Sequence, residues 1–121
     1  MTLDEARAAL LRLRPRLDAL LALRADLAEL GADLEAGRPG TRGGLADLKA
    51  MQARVYNELE RMAETGALVK GYAPLLLDFP GQLAEIPVLW CWLEGEPGLN
   101  WYHRADAGFA GRRPVPAEVA A

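Results

Sequence analysis

Asp78, Cys91, His103 and Asp106 are the side chains of this chain best suited to hold a metal ion. Carboxylate, thiolate and imidazole are ordinary ligands of zinc or iron. His103 and Asp106 are close in sequence, and a sheet would let Asp78 or Cys91 join them. The chain has one histidine and one cysteine, and no Cys-x-x-Cys or His-Glu-x-x-His spacing. The competing reading gives His103 a hydrogen bond to Asp106 or Asp78 that orients the C-terminal tail. Cys91 and His103 also match a nucleophile and its base in type. That chemistry requires an accessible thiol with a depressed pKa. Flanked by Trp90 and Trp92, Cys91 reads more simply as a small buried hydrophobe. Serine is absent, which excludes a serine nucleophile.

The neighbouring residues suit ligand binding. All three tryptophans, the cysteine and the histidine lie between Trp90 and His103. Trp90, Trp92, Trp101 and Tyr102 could form an aromatic groove. Platforms that stack single-stranded bases combine such rings with a basic groove, whereas Glu94, Glu96 and Asp106 lie close by here. The plainer reading makes the rings the core of a thin sheet or a subunit interface. Gly108, Gly111, Arg112 and Arg113, with Arg104 nearby, suit an anion. Their plainer reading is a tight turn, with Arg112 paired to an acid such as Asp78 or Asp106. The candidate ligand-binding set is therefore Trp92, Trp101, His103, Asp106 and Arg112. The candidate set for a divalent metal is Asp78, Cys91, His103 and Asp106, and no other cofactor is indicated.

Composition narrows the classes. At 121 residues the chain is expected to form one domain, and a hydrophobic fraction of 51% argues for a folded core. A formal charge of −3 and a pI near 5.2 argue against a nucleic-acid partner. No apolar run approaches the roughly 20 residues of a membrane span. Asp4 and Glu5 come at once, with no signal-peptide apolar region. A single cysteine makes no internal disulfide, so a cytoplasmic location is expected. Arginine heavily outnumbers lysine (Lys49 and Lys70 alone), which suggests a GC-rich bacterial gene.

The elements that must position these residues are legible in outline. Thr2-Leu3-Asp4-Glu5 reads as a capping box at a helix start. Leu3, Ala6, Leu10, Leu13, Leu17, Leu20, Leu27 and Leu34 then form a heptad, coiled-coil-like seam, broken once at Arg24. Leu21, Leu23 and Leu30 widen the stripe, which suits a helix with more than one neighbour. Pro15 is expected to kink or break the pattern. Gly37 through Gly44 form a loop. A second helix from about Gly44 to Thr65 carries Leu45, Leu48, Val55, Leu59 and Met62, with Gly66 as its C-cap. Pro15–Ala36 and Gly44–Thr65 match in length, about 33 Å each, and form an antiparallel hairpin. Leu3–Arg14 has no partner there and is expected to cover one face of a C-terminal sheet through Leu3, Leu10 and Leu13, or else to pack on a second subunit.

After Gly66 the period changes. Leu75–Phe79 reads as a strand bounded by Pro74 and by Pro80-Gly81. Val88–Leu93 and Leu99–His103 read as a hairpin. Pairing Leu93 with Leu99 sets Cys91 opposite Trp101 and Trp90 opposite Tyr102. Leu89, Cys91, Leu93, Trp101 and His103 then share one face, and Trp90, Trp92, Asn100 and Tyr102 the other. Asp106–Pro114 is an irregular arm, and Val115–Ala121 is expected to fray.

Leu77-Asp78-Phe79-Pro80, Cys91-Trp92, Trp101-Tyr102-His103 and Asp106-Ala107-Gly108-Phe109-Ala110-Gly111-Arg112-Arg113-Pro114 together resemble a bacterial family of unknown function, DUF2203. The resemblance covers nearly the whole chain. Tyr102 departs from it, since a second tryptophan is the pattern there. It implies no activity.

The expected fold is α+β. A long antiparallel helical hairpin with an extra N-terminal helical piece (1–66) precedes a small, about three-stranded antiparallel sheet with an irregular arm (67–121), in one compact unit. A lone hairpin does not bury both sides of the leucine stripe, so a homodimer through the helices is expected. The expected function is a self-associating interaction or scaffold module, open to a protein partner, with a C-terminal binding site. The alternative is a small metal- or anion-binding enzyme using Asp78, Cys91, His103, Asp106 and Arg112.

Overall fold

The computed structural model describes residues 1–38 and 43–120. Of the expected loop, Pro39, Gly40, Thr41 and Arg42 lie outside the described residues, as does Ala121 at the end of the expected frayed tail. The fold is α+β. Helix α1 (Leu3–Glu35) and helix α2 (Leu45–Ala63) precede five strands and a short helix α3 (Ala117–Ala120). The strands are β1 (Leu68–Tyr72), β2 (Leu75–Leu83), β3 (Ile86–Leu93), β4 (Trp101–Arg104) and β5 (Arg113–Pro114). They form one antiparallel meander in the order β1-β2-β3-β4-β5. Among the described residues, five strands replace the expected three. β1 was hidden because a bulge between Val69 and Gly71 breaks its alternation. β5 has only two residues.

By its contacts the chain divides into two compact units, Met1–Arg12 with Met62–Ala121, and Leu13–Arg61. The first is built on the sheet. Leu75, Leu77 and Phe79 alternate along β2, and Val88, Trp90 and Trp92 along β3. All are buried, so one sheet face is a continuous apolar layer. Leu3, Ala6, Ala9 and Leu10 of α1 are buried in the same unit. The Trp90 indole donates to the Met1 carbonyl at 3.0 Å, and the Met1 ammonium donates to the Pro80 carbonyl at 2.7 Å. Arg7 donates to the Leu99 carbonyl and to Asn100 Oδ1. Gly81 makes the close approach possible. A Cβ there would lie 2.4 Å from the Met1 carbonyl oxygen and 2.3 Å from the Trp90 indole nitrogen.

The expected capping box is present. Glu5 N donates to Thr2 Oγ1 at 3.1 Å, and Thr2 N donates to Glu5 Oε1 at 3.0 Å. These bonds hold the Glu5 carboxyl below its usual range. α1 runs through Pro15 as one helix of 33 residues rather than ending there. A mid-helix proline costs about 3 kcal/mol. Burial of Leu10, Leu13, Leu17 and Leu20 on either side offsets it, at about 1.5–3 kcal/mol for each large apolar side chain.

The second unit holds the rest of α1 and most of α2. Leu13, Leu17, Leu20, Leu30 and Val55 are its buried apolar residues. Gly31 sits across from Leu48. Ala19, Leu20 and Leu23 share a groove with Arg54, Asn57, Glu58 and Arg61, so the helices run antiparallel. Gly44 N donates to Asp47 Oδ2 at the start of α2. Gly66, at φ 93°, follows its last turn. Among the described residues no helix is long and apolar enough to cross a membrane.

Candidate functional site

The strand register brings chemistry-bearing residues to the sheet face opposite the Trp90 layer. β2 sets Asp78 beside Cys91 of β3, and β3 sets Cys91 beside Trp101 and Leu89 beside His103 of β4. Alternation then puts Asp78, Cys91, Trp101 and His103 on one face. The pairings Cys91 with Trp101 and Trp90 with Tyr102 are those expected from the hairpin. Trp90 and Tyr102 meet edge to face with ring centroids 6.2 Å apart.

Asp78, Cys91 and His103 are all buried, and one ligand atom from each lies within 4.8 Å of the other two. His103 Nε2 is 3.1 Å from Asp78 Oδ2, and its Nδ1 is 2.9 Å from the Arg104 carbonyl oxygen. A carbonyl oxygen only accepts, which assigns the Nδ1 proton to that bond. The lone pair of a neutral ring then faces the carboxylate, so the contact calls for a further positive charge, a proton or a cation, between Nε2 and Oδ2. Asp78 Oδ1 is buried without a hydrogen-bond partner.

Arg112 closes this face from the C-terminal arm. Its Nε donates to Cys91 Sγ at 3.3 Å and its Nη2 to the Cys91 carbonyl at 3.1 Å. Both terminal nitrogens grip the Glu96 carboxylate, with Nη1 3.0 Å from Oε2. The guanidinium also lies over the rings of Trp101 and Phe109, 5.1 and 5.2 Å from their centroids. A 3-10 turn, Phe109–Gly111, delivers Arg112. Gly108, at φ 67°, enters that turn, and a Cβ on Gly111 would lie 2.7 Å from that of Ala107. The two glycines serve a tight turn, while Arg112 finds Glu96 rather than Asp78 or Asp106.

Burial pushes the Cys91 thiol up to about 11, against the lowering effect of its bond from Arg112. At neutral pH the thiolate fraction is then on the order of one in ten thousand, far from an activated nucleophile.

The expected sets are thus divided by the fold. Trp101, His103 and Arg112 share the site face with Asp78 and Cys91. Trp92 is buried in the opposite layer, where its indole donates to the Glu96 carbonyl. Asp106 is exposed and bound to Arg104, at 2.9 Å from Nε and 2.6 Å from Nη2. This pairing holds the Asp106 carboxyl below its usual range. Glu96 and Phe109 were missed by sequence reasoning. The signal for Glu96 was an acid in the hairpin that precedes Trp101, within reach of an arm rich in arginine.

No curated protein and no solved structure matches the chain. Residues 1–115 match the model of a family described as an uncharacterized conserved protein, DUF2203, to which the chain therefore belongs.

Proposed function

We propose that this chain is a cytoplasmic interaction module that self-associates through α1 and α2. The observation that carries the reading is the incomplete burial of the leucine stripe. Leu21, Leu23, Leu27 and Leu34 of α1, and Leu48, Met51 and Leu59 of α2, are only half-buried. Leu45 and Tyr56 are each 63% exposed. A second copy of the hairpin would cover such a stripe in a four-helix arrangement. Cys91 is reduced and buried, which suits a reducing compartment.

The enzymatic alternative has less support. Asp106 stands apart on Arg104, and Arg112 is committed to Glu96.

Sedimentation equilibrium across the micromolar range tests the reading. The wild type is expected to be a dimer. Leu23→Asp and Leu59→Asp are expected to shift it to monomer with unchanged far-ultraviolet dichroism. Leu20 is unsuitable for this test because it is buried within its own chain. A monomeric wild type overturns the proposal.

A further inference from the structure

The geometry points to a second property, independent of self-association: Asp78, Cys91 and His103 form a three-ligand site for a zinc-type divalent metal ion. The three side chains come from adjacent strands β2, β3 and β4, so the sheet itself fixes their spacing. Zinc sits at about 2.0–2.3 Å from nitrogen, oxygen and sulfur ligands, which in a tetrahedron places the ligand atoms roughly 3.3–3.7 Å apart. The observed trio, within 4.8 Å of one another, needs only small side-chain shifts to meet that spacing.

Three further observations point to a cation rather than to packing alone. First, the His103 tautomer is the one a metal ligand requires. Nδ1 is occupied by the Arg104 carbonyl, which leaves Nε2, facing the trio, as the ring nitrogen that would ligate a metal in place of a proton. Second, Asp78 is 2% exposed, and its Oδ1 has no hydrogen-bond partner. A buried, unpartnered carboxylate oxygen is costly unless a positive charge meets it. Third, the charges balance. On binding, the metal displaces the Cys91 thiol proton to solvent, one carboxylate and the resulting thiolate neutralise the divalent ion, a ligating imidazole adds no charge, and Arg112 is itself neutralised by Glu96. Arg112 Nε would donate to the ligating sulfur, a supporting contact of the kind that tunes metal thiolates.

The mixed nitrogen, oxygen and sulfur donor set selects zinc or cobalt over magnesium or calcium, which prefer oxygen alone. Asp106 lies outside the site, on the exposed ion pair with Arg104.

The test is a cobalt titration of the full chain after chelator treatment, followed by zinc competition. One equivalent of cobalt is expected to give a sulfur-to-metal charge-transfer band and the visible bands of a tetrahedral ion, both erased by zinc. Cys91→Ala and His103→Gln are expected to weaken cobalt binding at least a hundredfold, and Asp106→Ala to leave it unchanged. Should the site variants fail to fold, the wild type still decides the matter. Folded wild type that shows no thiolate band at saturating cobalt overturns the proposal, as does a band that persists in folded Cys91→Ala.

Discussion

Cys91 shows how burial and charge compete on one atom. The thiol is fully enclosed, and desolvation outweighs the guanidinium beside it. Its pKa is raised from 9.0 to about 11 in the folded chain. Between those values the unfolded chain has lost the thiol proton and the folded chain retains it. This contribution to stability is therefore complete below about pH 9 and lost as pH rises toward about 11. Urea midpoints measured with chelator present should fall more steeply over that window in the wild type than in Cys91→Ala. Equal slopes would show that Cys91 titrates normally. The partner that moderates the shift was not legible in the sequence. Arg112 is 21 residues from Cys91, and only the turn at Gly108–Gly111 returns it to β3. The Asp78–His103 contact was foreseen as one of two options. Which acid His103 meets depends on β2 running on to Leu83 and turning back as β3, a register that alternation alone leaves open.

Among the elements, the sequence concealed β1 and the turn that joins β2 to β3. Pro80 and Gly81 look like the end of a strand, yet β2 continues to Leu83. β1 pairs with β2 no further than Asp78, so Pro80 occupies a stretch with one strand neighbour, where its missing N–H costs no ladder bond. The turn itself has no glycine. Ala84 and Glu85 adopt φ of 51° and 66°, as a two-residue hairpin turn requires, although side chains disfavour that region. Glu85→Gly is therefore expected to stabilise the protein by about 1 kcal/mol, measurable by thermal or urea unfolding. A loss of stability would place the strain elsewhere. By contrast, the β3–β4 pairing was readable because Gly95 and Pro97-Gly98 mark the turn and alternation fixes the register. Helix α1 was readable in its start and its stripe. Its continuity through Pro15 was not, because the compensating burial of Leu13 and Leu17 is tertiary.

Across the whole molecule, burial is unevenly shared. Trp90, Trp92, Phe79, Leu75 and Leu77 give the sheet unit large, fully enclosed side chains, while α2 contributes Val55 alone to the enclosed residues of the hairpin unit. Stability should follow burial. Amides of β2 and β3 are expected to exchange with solvent more slowly than those of α2, by one to several orders of magnitude. Protection of α2 should rise with protein concentration if hairpins pair, while that of β2 and β3 changes little. Hydrogen exchange followed by mass spectrometry at two concentrations checks both points. Protection of α2 that equals β3 at high dilution would contradict the first, and concentration-independent α2 exchange would contradict the second.

The hairpin unit, Leu13–Arg61, lies in the chain between the two segments of the sheet unit, Met1–Arg12 and Met62–Ala121. In the order of the chain it lies as an inserted segment, flanked on both sides by parts of the sheet unit. Its length is therefore a separable trait. Removing matched pieces of about seven residues, two helical turns, from each arm keeps the leucine stripe in phase. Removing an odd residue from one arm turns that stripe by roughly 100°. Length variation among related chains should thus come in paired, near-heptad steps across α1 and α2, with Met1–Arg12 and the strands left intact.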